Sequence, residues 1–186
     1  MSSLTVYHED GSMAGPTITD YDSITRKLAE VGVQFERWRA TQALPDDASQ
    51  EQVLDAYRDS IEALNRSFGF KSVDVVSLRP DHPQKSEFRQ KFFAEHTHAD
   101  FEIRFFVDGQ GLFYLHIGDQ VLLVTCTRGD LISVPANITH WFDMGEHPDF
   151  RCIRFFTTPD GWLGEFTASD IHTRFPDFDS HAAACE

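Results

Sequence analysis

From Thr97 onward, short runs of Val, Ile, Phe and Leu alternate with turn segments at intervals of roughly ten residues, and this spacing is the strongest constraint on the fold. The turn segments are Asp108-Gly109-Gln110-Gly111, Gly118-Asp119-Gln120 and Arg128-Gly129-Asp130. Regular short strands separated by such turns predict an antiparallel sandwich or barrel. The first segment, within residues 107–112, is predicted to be the tip of a hairpin.

The first ninety residues show mixed helix and strand patterns. Ile24 and Leu28 recur at helical spacing, after an acidic cap at Asp20 or Asp22 and before Gly32. A Ser49-x-x-Gln52 pattern resembles a capping box, and one apolar stripe follows it, which predicts a single helix ending at 68–70. Strands are predicted at 4–8, 33–35 and 73–76, and a short helix at about 83–93.

The length of 186 residues predicts one domain, 1–186. Residues 1–90 supply N-terminal strands and helices, and 91–160 supply the barrel core. Residues 175–186 lose periodicity and are predicted to form a loose tail. Single-domain size, with no long amphipathic zipper, favours a monomer.

Charge and cysteine content exclude several classes of protein. The chain has 16 basic and 30 acidic residues, a net charge of −14, which argues against a nucleic-acid or anionic-membrane partner. The opening residues show no signal peptide, and apolar runs such as 121–124 are too short to span a bilayer. Cys126, Cys152 and Cys185 contain no close pair, so neither a disulfide framework nor a thiolate zinc site is expected. A reducing cytoplasm is the predicted compartment.

A histidine cluster carries the strongest functional signal. The segment His96-Thr97-His98-Ala99-Asp100-Phe101-Glu102 places two imidazoles and one carboxylate on one face if it is extended. This donor set suits Fe(II), and a fourth ligand, His140, would come from a separate strand. An unpaired buried set of this kind would be costly, which favours metal binding over a structural role. The remaining histidines are interpreted as structural or surface residues: His8, His82, His116, His147, His172 and His181.

The spacing around these residues resembles the two motifs of the cupin superfamily. The first is His96-x-His98-x3-Glu102-x6-Gly109, and the second is Gly129-x5-Pro135-x4-His140. Three positions depart from the usual pattern, namely Gln90, Asn137 and Met144. The resemblance implies a mainly β (α+β) fold, a cupin-type jelly-roll β-barrel with the N-terminal helices packed outside.

From Phe92 to Trp162 the chain resembles the acireductone dioxygenases of methionine salvage more closely. The matching runs are EHTHADFEIRFFVDGQGLFYLHIGD, GDLISVPANITHWFDMG and CIRFFTTPDGW. The resemblance implies one Fe(II) or Ni(II) ion per chain, held by His96, His98, Glu102 and His140. The implied reactants are 1,2-dihydroxy-3-keto-5-methylthiopentene and O2. The implied products are formate and 4-methylthio-2-oxobutanoate with iron, or formate, CO and 3-methylthiopropanoate with nickel.

Physical chemistry suggests roles for the neighbouring side chains. Arg104 shares the ligand face and would stabilise a substrate dianion, unless it makes a structural ion pair with an interior acid. Arg154 is a candidate for the same role, although the alternation of side chains along its strand does not decide whether Arg154 or Arg151 faces inward. Aromatic walls suit a methylthio tail, and core packing is the alternative role for each candidate. The candidates are Phe92, Phe142 and Trp162.

The family resemblance also suggests that Glu95 assists metal loading and that Phe101 transmits structural changes from the site. Asp100 is either a partner that orients an imidazole or a solvated surface acid. Two other functions stay open. One is another metal-dependent cupin oxygenase or isomerase, and the other is a non-catalytic metal-binding cupin.

Overall fold

Two antiparallel sheets that share one long strand make up most of the protein, which a computed structural model describes over residues 1–161 and 163–184. The strands are β1 (Ser3–His8), β2 (Gln34–Arg37), β3 (Ser72–Leu78), β4 (His96–Thr97), β5 (Glu102–Ile117), β6 (Gln120–Thr127), β7 (Asp130–Val134), β8 (Thr139–Asp143), β9 (Phe150–Phe156) and β10 (Glu165–Phe166). The helices are α1 (Tyr21–Ala29), α2 (Gln50–Ala56), α3 (Arg58–Phe68), α4 (Lys85–Phe93) and α5 (Phe178–Ala184), with a 3-10 helix at Ile171–Arg174.

The shared strand is β5. Its second half, from Gln110 to Ile117, pairs with β6 and β8 in a first sheet ordered β1-β6-β5-β8-β4-β10. Its first half pairs with β7 and β9 in a second sheet ordered β2-β7-β5-β9-β3. The two sheets enclose an apolar interior. The prediction of a mainly β jelly-roll barrel with helices outside is confirmed.

The predicted hairpin tip at 107–112 is wrong, because β5 continues through it without reversing. The pairing register shifts between Phe106 and Asp108, which marks a bulge where the strand crosses from one sheet to the other. Gly109 has φ +69°, and a Cβ there would collide with the carbonyl oxygen of Asp149. The Gly-rich segment therefore serves a bend and a close approach of two backbones. The turns predicted at 118–120 and 128–130 are both present.

The N-terminal ninety residues complete the sheets as well as covering them. Strands β1, β2 and β3 pair with β6, β7 and β9 respectively. Asp20 caps α1, and Ser49 with Gln52 forms the expected capping box on α2. The single helix predicted after Ser49 is instead two helices. The break is at Tyr57, whose φ of −113° is not helical and whose buried ring packs 5.1 Å from that of Phe105.

The C-terminal segment is ordered against the outer face of the first sheet, unlike the loose tail predicted for 175–186. Phe175 is buried, and its ring centroid lies 5.8 Å from that of Trp141. Helix α5 follows, and the backbone N–H of Phe178 donates to Asp143. The physical reason is that the sheet presents large aromatic side chains on both faces, so its outer face also needs cover. Residues 185 and 186 lie outside the described residues.

Helices α2 and α3 cover the outer face of the second sheet in the same way. As a result, both sheets are covered on the outside, while the interior between them is left to form a site. None of the helices in the described residues has the length and apolar character required to cross a membrane.

Candidate metal centre and substrate cavity

A cavity of about 650 Å³ opens at one end of the barrel interior. Its volume is in the range of small-molecule sites. Its walls come from both sheets, from α4 and from the segment 163–166. Most of the lining is apolar and strongly aromatic, and the polar groups converge at one place. The lining aromatic residues are Phe88, Phe92, Phe106, Phe113, Phe142, Phe150 and Phe166.

Three buried histidines meet at this place. His96 lies on β4, His98 follows that strand, and His140 lies on β8 directly opposite His96 in the sheet register. One ring nitrogen from each lies within 4.8 Å of the others. The structure therefore brings together the three histidines selected from the sequence.

Backbone carbonyls fix the orientation of all three rings. The Nδ1 atoms lie 2.7, 2.8 and 2.7 Å from carbonyl oxygens, for His96, His98 and His140 respectively. The acceptors are the carbonyls of Ala94, Leu163 and Ile138. A carbonyl oxygen can only accept, so each Nδ1 carries the proton. In the neutral ring, the lone pair is then on Nε2.

The protonation state and the unmatched lone pairs fit a metal ion. Burial lowers the pKa of His96, and it lowers the pKa of His140 to about 4, so both rings are neutral near pH 7. The Nε2 atom of His140 is buried and, among the described residues, has no hydrogen-bond partner. Neutral imidazoles anchored through Nδ1 are the ligands that divalent transition metals require. The residues present therefore fit the metal implied by the sequence resemblance.

Glu102 completes the polar group at the start of β5. Its Oε2 lies 3.5 Å from Nε2 of His98, and its Oε1 lies 2.5 Å from Nη2 of Arg104. Burial alone would raise the pKa of Glu102, but the charge of Arg104 holds it below its ordinary value. The carboxylate is thus ionised and adjacent to the histidines. The interior acid that pairs with Arg104 is the predicted metal ligand itself.

The register of β9 settles which arginine faces the cavity. Arg154 is the cross-strand neighbour of Arg104 and lines the cavity, where its Nε and Nη2 donate to the two carboxylate oxygens of Asp74 at 2.7 and 2.6 Å. Arg151 is buried elsewhere and donates to the backbone carbonyls of Pro45 and Asp46.

Two of the three aromatic candidates line the cavity. The half-buried rings of Phe92 and Phe142 meet edge to face with centroids 6.5 Å apart. Phe142 can occupy its position because Gly111 has no side chain; a Cβ there would overlap the ring. Trp162 lies outside the described residues.

Glu95 and Phe101 lie outside the cavity. The buried Glu95 points away from the histidines and accepts from Nδ1 of His116 at 2.8 Å and from the hydroxyl of Thr167 at 2.5 Å. Phe101 is 36% exposed, and its ring packs edge-on against Phe68 at 5.6 Å. His116, interpreted from the sequence as structural or surface, is therefore the partner of Glu95.

Sequence reasoning missed the segment after Trp162. The carbonyl of Leu163 orients His98, and the ring of Phe166 lies 5.6 Å from that of His96. Asp100 is buried, which rules out the surface interpretation. Its carboxylate accepts from the backbone N–H groups of Thr157 and Thr158, at the start of the loop that leads to this segment. No local pattern in the sequence signals these pairings.

Comparisons with known proteins identify one family. The model of the ARD/ARD' family matches residues 4–164. An acireductone dioxygenase from Methylococcus capsulatus is 56% identical over 176 residues, covering 95% of each chain. One from Aquifex aeolicus is 52% identical, covering 96% of this chain and 97% of its own. The solved structure of an acireductone dioxygenase from Bacillus anthracis with a cadmium ion in its active center has a TM-score of 0.80 and 28% identity, over 89% of this chain and 98% of that one.

Proposed function

The chain belongs to the ARD/ARD' family, whose curated relatives are acireductone dioxygenases, and we propose that it cleaves 1,2-dihydroxy-3-keto-5-methylthiopentene with O2 in methionine salvage. The observation that carries this proposal is the convergence of three imidazoles, each anchored through Nδ1, and one carboxylate inside an aromatic cavity. Such a site can hold a metal and still leave room beside it for a small substrate.

We propose that His96, His98, Glu102 and His140 hold one Fe(II) or Ni(II) ion per chain. The mixed nitrogen and oxygen donors suit either ion, and the Irving–Williams order favours nickel at any such site. When bound, the ion supplies a Lewis acid and a template for the substrate. The fixed imidazoles and the buried carboxylate supply its position.

Arg104 is proposed to stabilise the ionised enediol. An enediol must lose protons to become electron-rich enough to react with oxygen, and negative charge then builds up on its oxygens. The guanidinium of Arg104 lies next to the buried Glu102 and is largely enclosed, so its charge acts at short range. Its Nη1 also donates to the carbonyl of Ile103 at 3.1 Å, which helps to hold the side chain in place.

The apolar part of the cavity is proposed to bind the methylthio tail. Phe92 and Phe142 supply polarizable walls, and Trp162 stays a prediction for the same role. Arg154, next to Arg104 on the second sheet, would contact a substrate oxygen. Glu95 and Phe101 are proposed to act indirectly, Glu95 by fixing the backbone next to His96 and Phe101 through its contact with Phe68.

Metal reloading with product analysis tests the proposal. Apoprotein is loaded separately with Fe(II) or Ni(II) and given an acireductone and O2. We expect formate and 4-methylthio-2-oxobutanoate from the iron form, and formate, CO and 3-methylthiopropanoate from the nickel form. Substrate consumption with neither product set would indicate another cupin oxygenase, and a metal-loaded protein that consumes no substrate would indicate a non-catalytic metal-binding cupin. The monomeric state and cytoplasmic location stay predictions, to be checked by light scattering and by cell fractionation.

A further inference from the structure

A row of three charged side chains crosses the inner face of the second sheet. Asp74 on β3 is the cross-strand neighbour of Arg154 on β9, which in turn is the neighbour of Arg104 on β5. The two arginines lie over the same ring, with their guanidinium carbons 5.8 and 5.4 Å from the centroid of Phe156. Like charges opposite each other in a sheet repel, so this row requires nearby carboxylates.

Each arginine has its own carboxylate, but the two pairs differ. The side chain of Arg104 is 13% exposed and shares Glu102 with the metal site, whereas the side chains of Arg154 and Asp74 are 25% and 37% exposed. Asp74 binds Arg154 through two parallel hydrogen bonds, at Nε and at Nη2. This is the bidentate geometry in which an arginine binds a carboxylate most strongly.

Asp74 therefore already occupies one of the two donor edges of Arg154 that a ligand carboxylate could use. Among the described residues, Nη1 of Arg154 has no hydrogen-bond partner, so a ligand oxygen can still contact that end of the guanidinium, although its charge is already paired with Asp74. The difference between ligands with and without a carboxylate matters for the proposed reaction. Its acireductone substrate contains no carboxylate, whereas oxidative cleavage of carbon–carbon bonds yields carboxylate products of nearly the same size and with the same tail.

We propose that Asp74 is a specificity-determining residue that keeps carboxylates, including the products, from binding tightly at Arg154. Because Asp74 neutralises the charge of Arg154 and fills its Nε–Nη2 edge, a ligand carboxylate gains little from binding there, and the cavity releases acids while it still accepts the enediol. This inference rests on the proposed function for its choice of ligand. Its structural basis is the occupied edge of Arg154.

Removal of the carboxylate tests the proposal. The probe is 3-methylthiopropanoate, and the uncharged 3-(methylthio)propan-1-ol is its matched ligand control. We expect Asp74→Asn, in the metal-loaded protein, to lower the Kd of the acid about tenfold and to leave the Kd of the alcohol unchanged, because only the acid responds to the unpaired charge and the freed Nε–Nη2 edge of Arg154. Inhibition of acireductone turnover by the acid should strengthen by the same factor.

Three further variants decide between explanations. Asp74→Glu keeps a carboxylate and should bind the acid as the wild type does. Asp74→Asn combined with Arg154→Gln should lose the gain, whereas a gain that persists would place the acid elsewhere, for example at the metal or at Lys91, and would overturn the proposal. Asp55→Asn removes an exposed carboxylate that pairs with Arg58 on the outer surface, and should leave both Kd values unchanged.

A Kd for the acid that differs less than twofold between Asp74→Asn and the wild type would also overturn the proposal. Circular dichroism confirms that each variant is folded, and Asp74→Ser provides a second neutral variant. The Kd measurements require no turnover. If the wild type fails to consume an acireductone, the proposed function fails, while the binding data still decide the role of Asp74.

Discussion

Glu102 and Arg104, two residues apart on one face of β5, form a buried ion pair in which Oε1 of Glu102 lies 2.5 Å from Nη2 of Arg104. The other carboxylate oxygen faces His98. Because the pair divides the two oxygens of Glu102 between an arginine and the histidine cluster, the guanidinium lies close to any ligand bound beside that cluster. The positive charge that would stabilise an enediolate is thereby held next to the predicted metal ligands.

Replacement of Arg104 should therefore separate catalysis from metal binding. We expect Arg104→Ala to keep its metal and to lose about 10²–10³-fold in kcat, the typical cost of removing one charge-stabilising donor. Arg104→Lys keeps a positive charge without the planar fork and should recover part of the rate. Metal content by mass spectrometry and steady-state kinetics provide the measurements. Unchanged turnover in Arg104→Ala would remove its electrostatic role.

His98→Ala should lose metal and activity together. One ring nitrogen of His98 lies within 4.8 Å of ring nitrogens of His96 and His140, and its Nε2 lies 3.5 Å from Oε2 of Glu102, so its removal leaves a gap in the donor set. The matched control is His147→Ala, since His147 is exposed and lies outside the cavity. We expect the control to match the wild type in metal content and rate. A His98→Ala protein with full metal content and turnover would contradict the ligand assignment.

Local sequence patterns predicted the parts of the fold and site that depend on neighbouring residues. The spacing of His96, His98 and Glu102 has one parity, and the structure gathers all three in one cavity. Asn137 departs from the cupin pattern at a position usually held by glycine, and its φ of 65° explains why the glycine-like conformation persists there. Asparagine is one of the few residues that adopts that conformation readily.

Pairings between distant segments were not predictable, because the sequence contains no register information for them. The carbonyl of Leu163 that orients His98 is 65 residues away along the chain, and Asp74 is 80 residues from Arg154. The predicted hairpin at 107–112 failed for a related reason. Gly109 and Gly111 are typical of a turn, but here they permit a strand to bend and an aromatic ring to pack.

The network around His116 should make stability depend on pH. Burial opposes protonation of His116, but hydrogen bonds to Glu95 and Glu9 outweigh it and raise its pKa above the ordinary value of 6.5. A raised folded-state pKa stabilises the protein fully below pH 6.5, and this contribution is lost as the pH rises through the folded pKa. We expect the difference in unfolding free energy between wild type and His116→Gln to be larger at pH 6 than at pH 9, as measured by urea denaturation.

Added salt should reduce the difference in unfolding free energy between wild type and His116→Gln only in part. Salt screens the pair with Glu9, which is half exposed, more than the pair with Glu95, which is buried. An equivalent His172→Gln variant serves as the control, since His172 packs against Phe93 and makes no ion pair with a described residue. A stability difference that is independent of pH would show that His116 acts only through packing or neutral hydrogen bonds.

Asp143 should anchor the C-terminal helix. Its buried carboxylate accepts from Arg89 at 2.7 and 2.9 Å and from the backbone N–H of Phe178 at 2.8 Å. Asp143→Ala would leave Arg89 without its closest partner, at a cost of about 3 kcal/mol in unfolding free energy, as for other broken buried ion pairs. Urea denaturation measures the loss, and Asp55→Ala on the surface should cost far less.

Limited proteolysis of Asp143→Ala should cleave first near α5. An unchanged cleavage pattern would show that aromatic packing alone holds this helix.

Phe92 and Phe93 offer a test of which aromatic side chains contact the substrate. They are adjacent on α4 and both half-buried, but they pack against different parts of the protein. Phe92 lines the cavity, whereas Phe93 packs against Tyr114 on the outer face of the first sheet. We expect Phe92→Ala to raise KM for the methylthio substrate about five- to tenfold, the usual discrimination from one lost apolar contact. For an acireductone with a one-carbon tail, Phe92→Ala should change KM little, because the contact that the variant removes is the one between the Phe92 ring and the methylthio tail. Phe93→Ala should lower thermal stability about as much as Phe92→Ala does, and should leave both KM values unchanged. Equal effects of Phe92→Ala on the two substrates would instead show that Phe92 only packs the barrel interior.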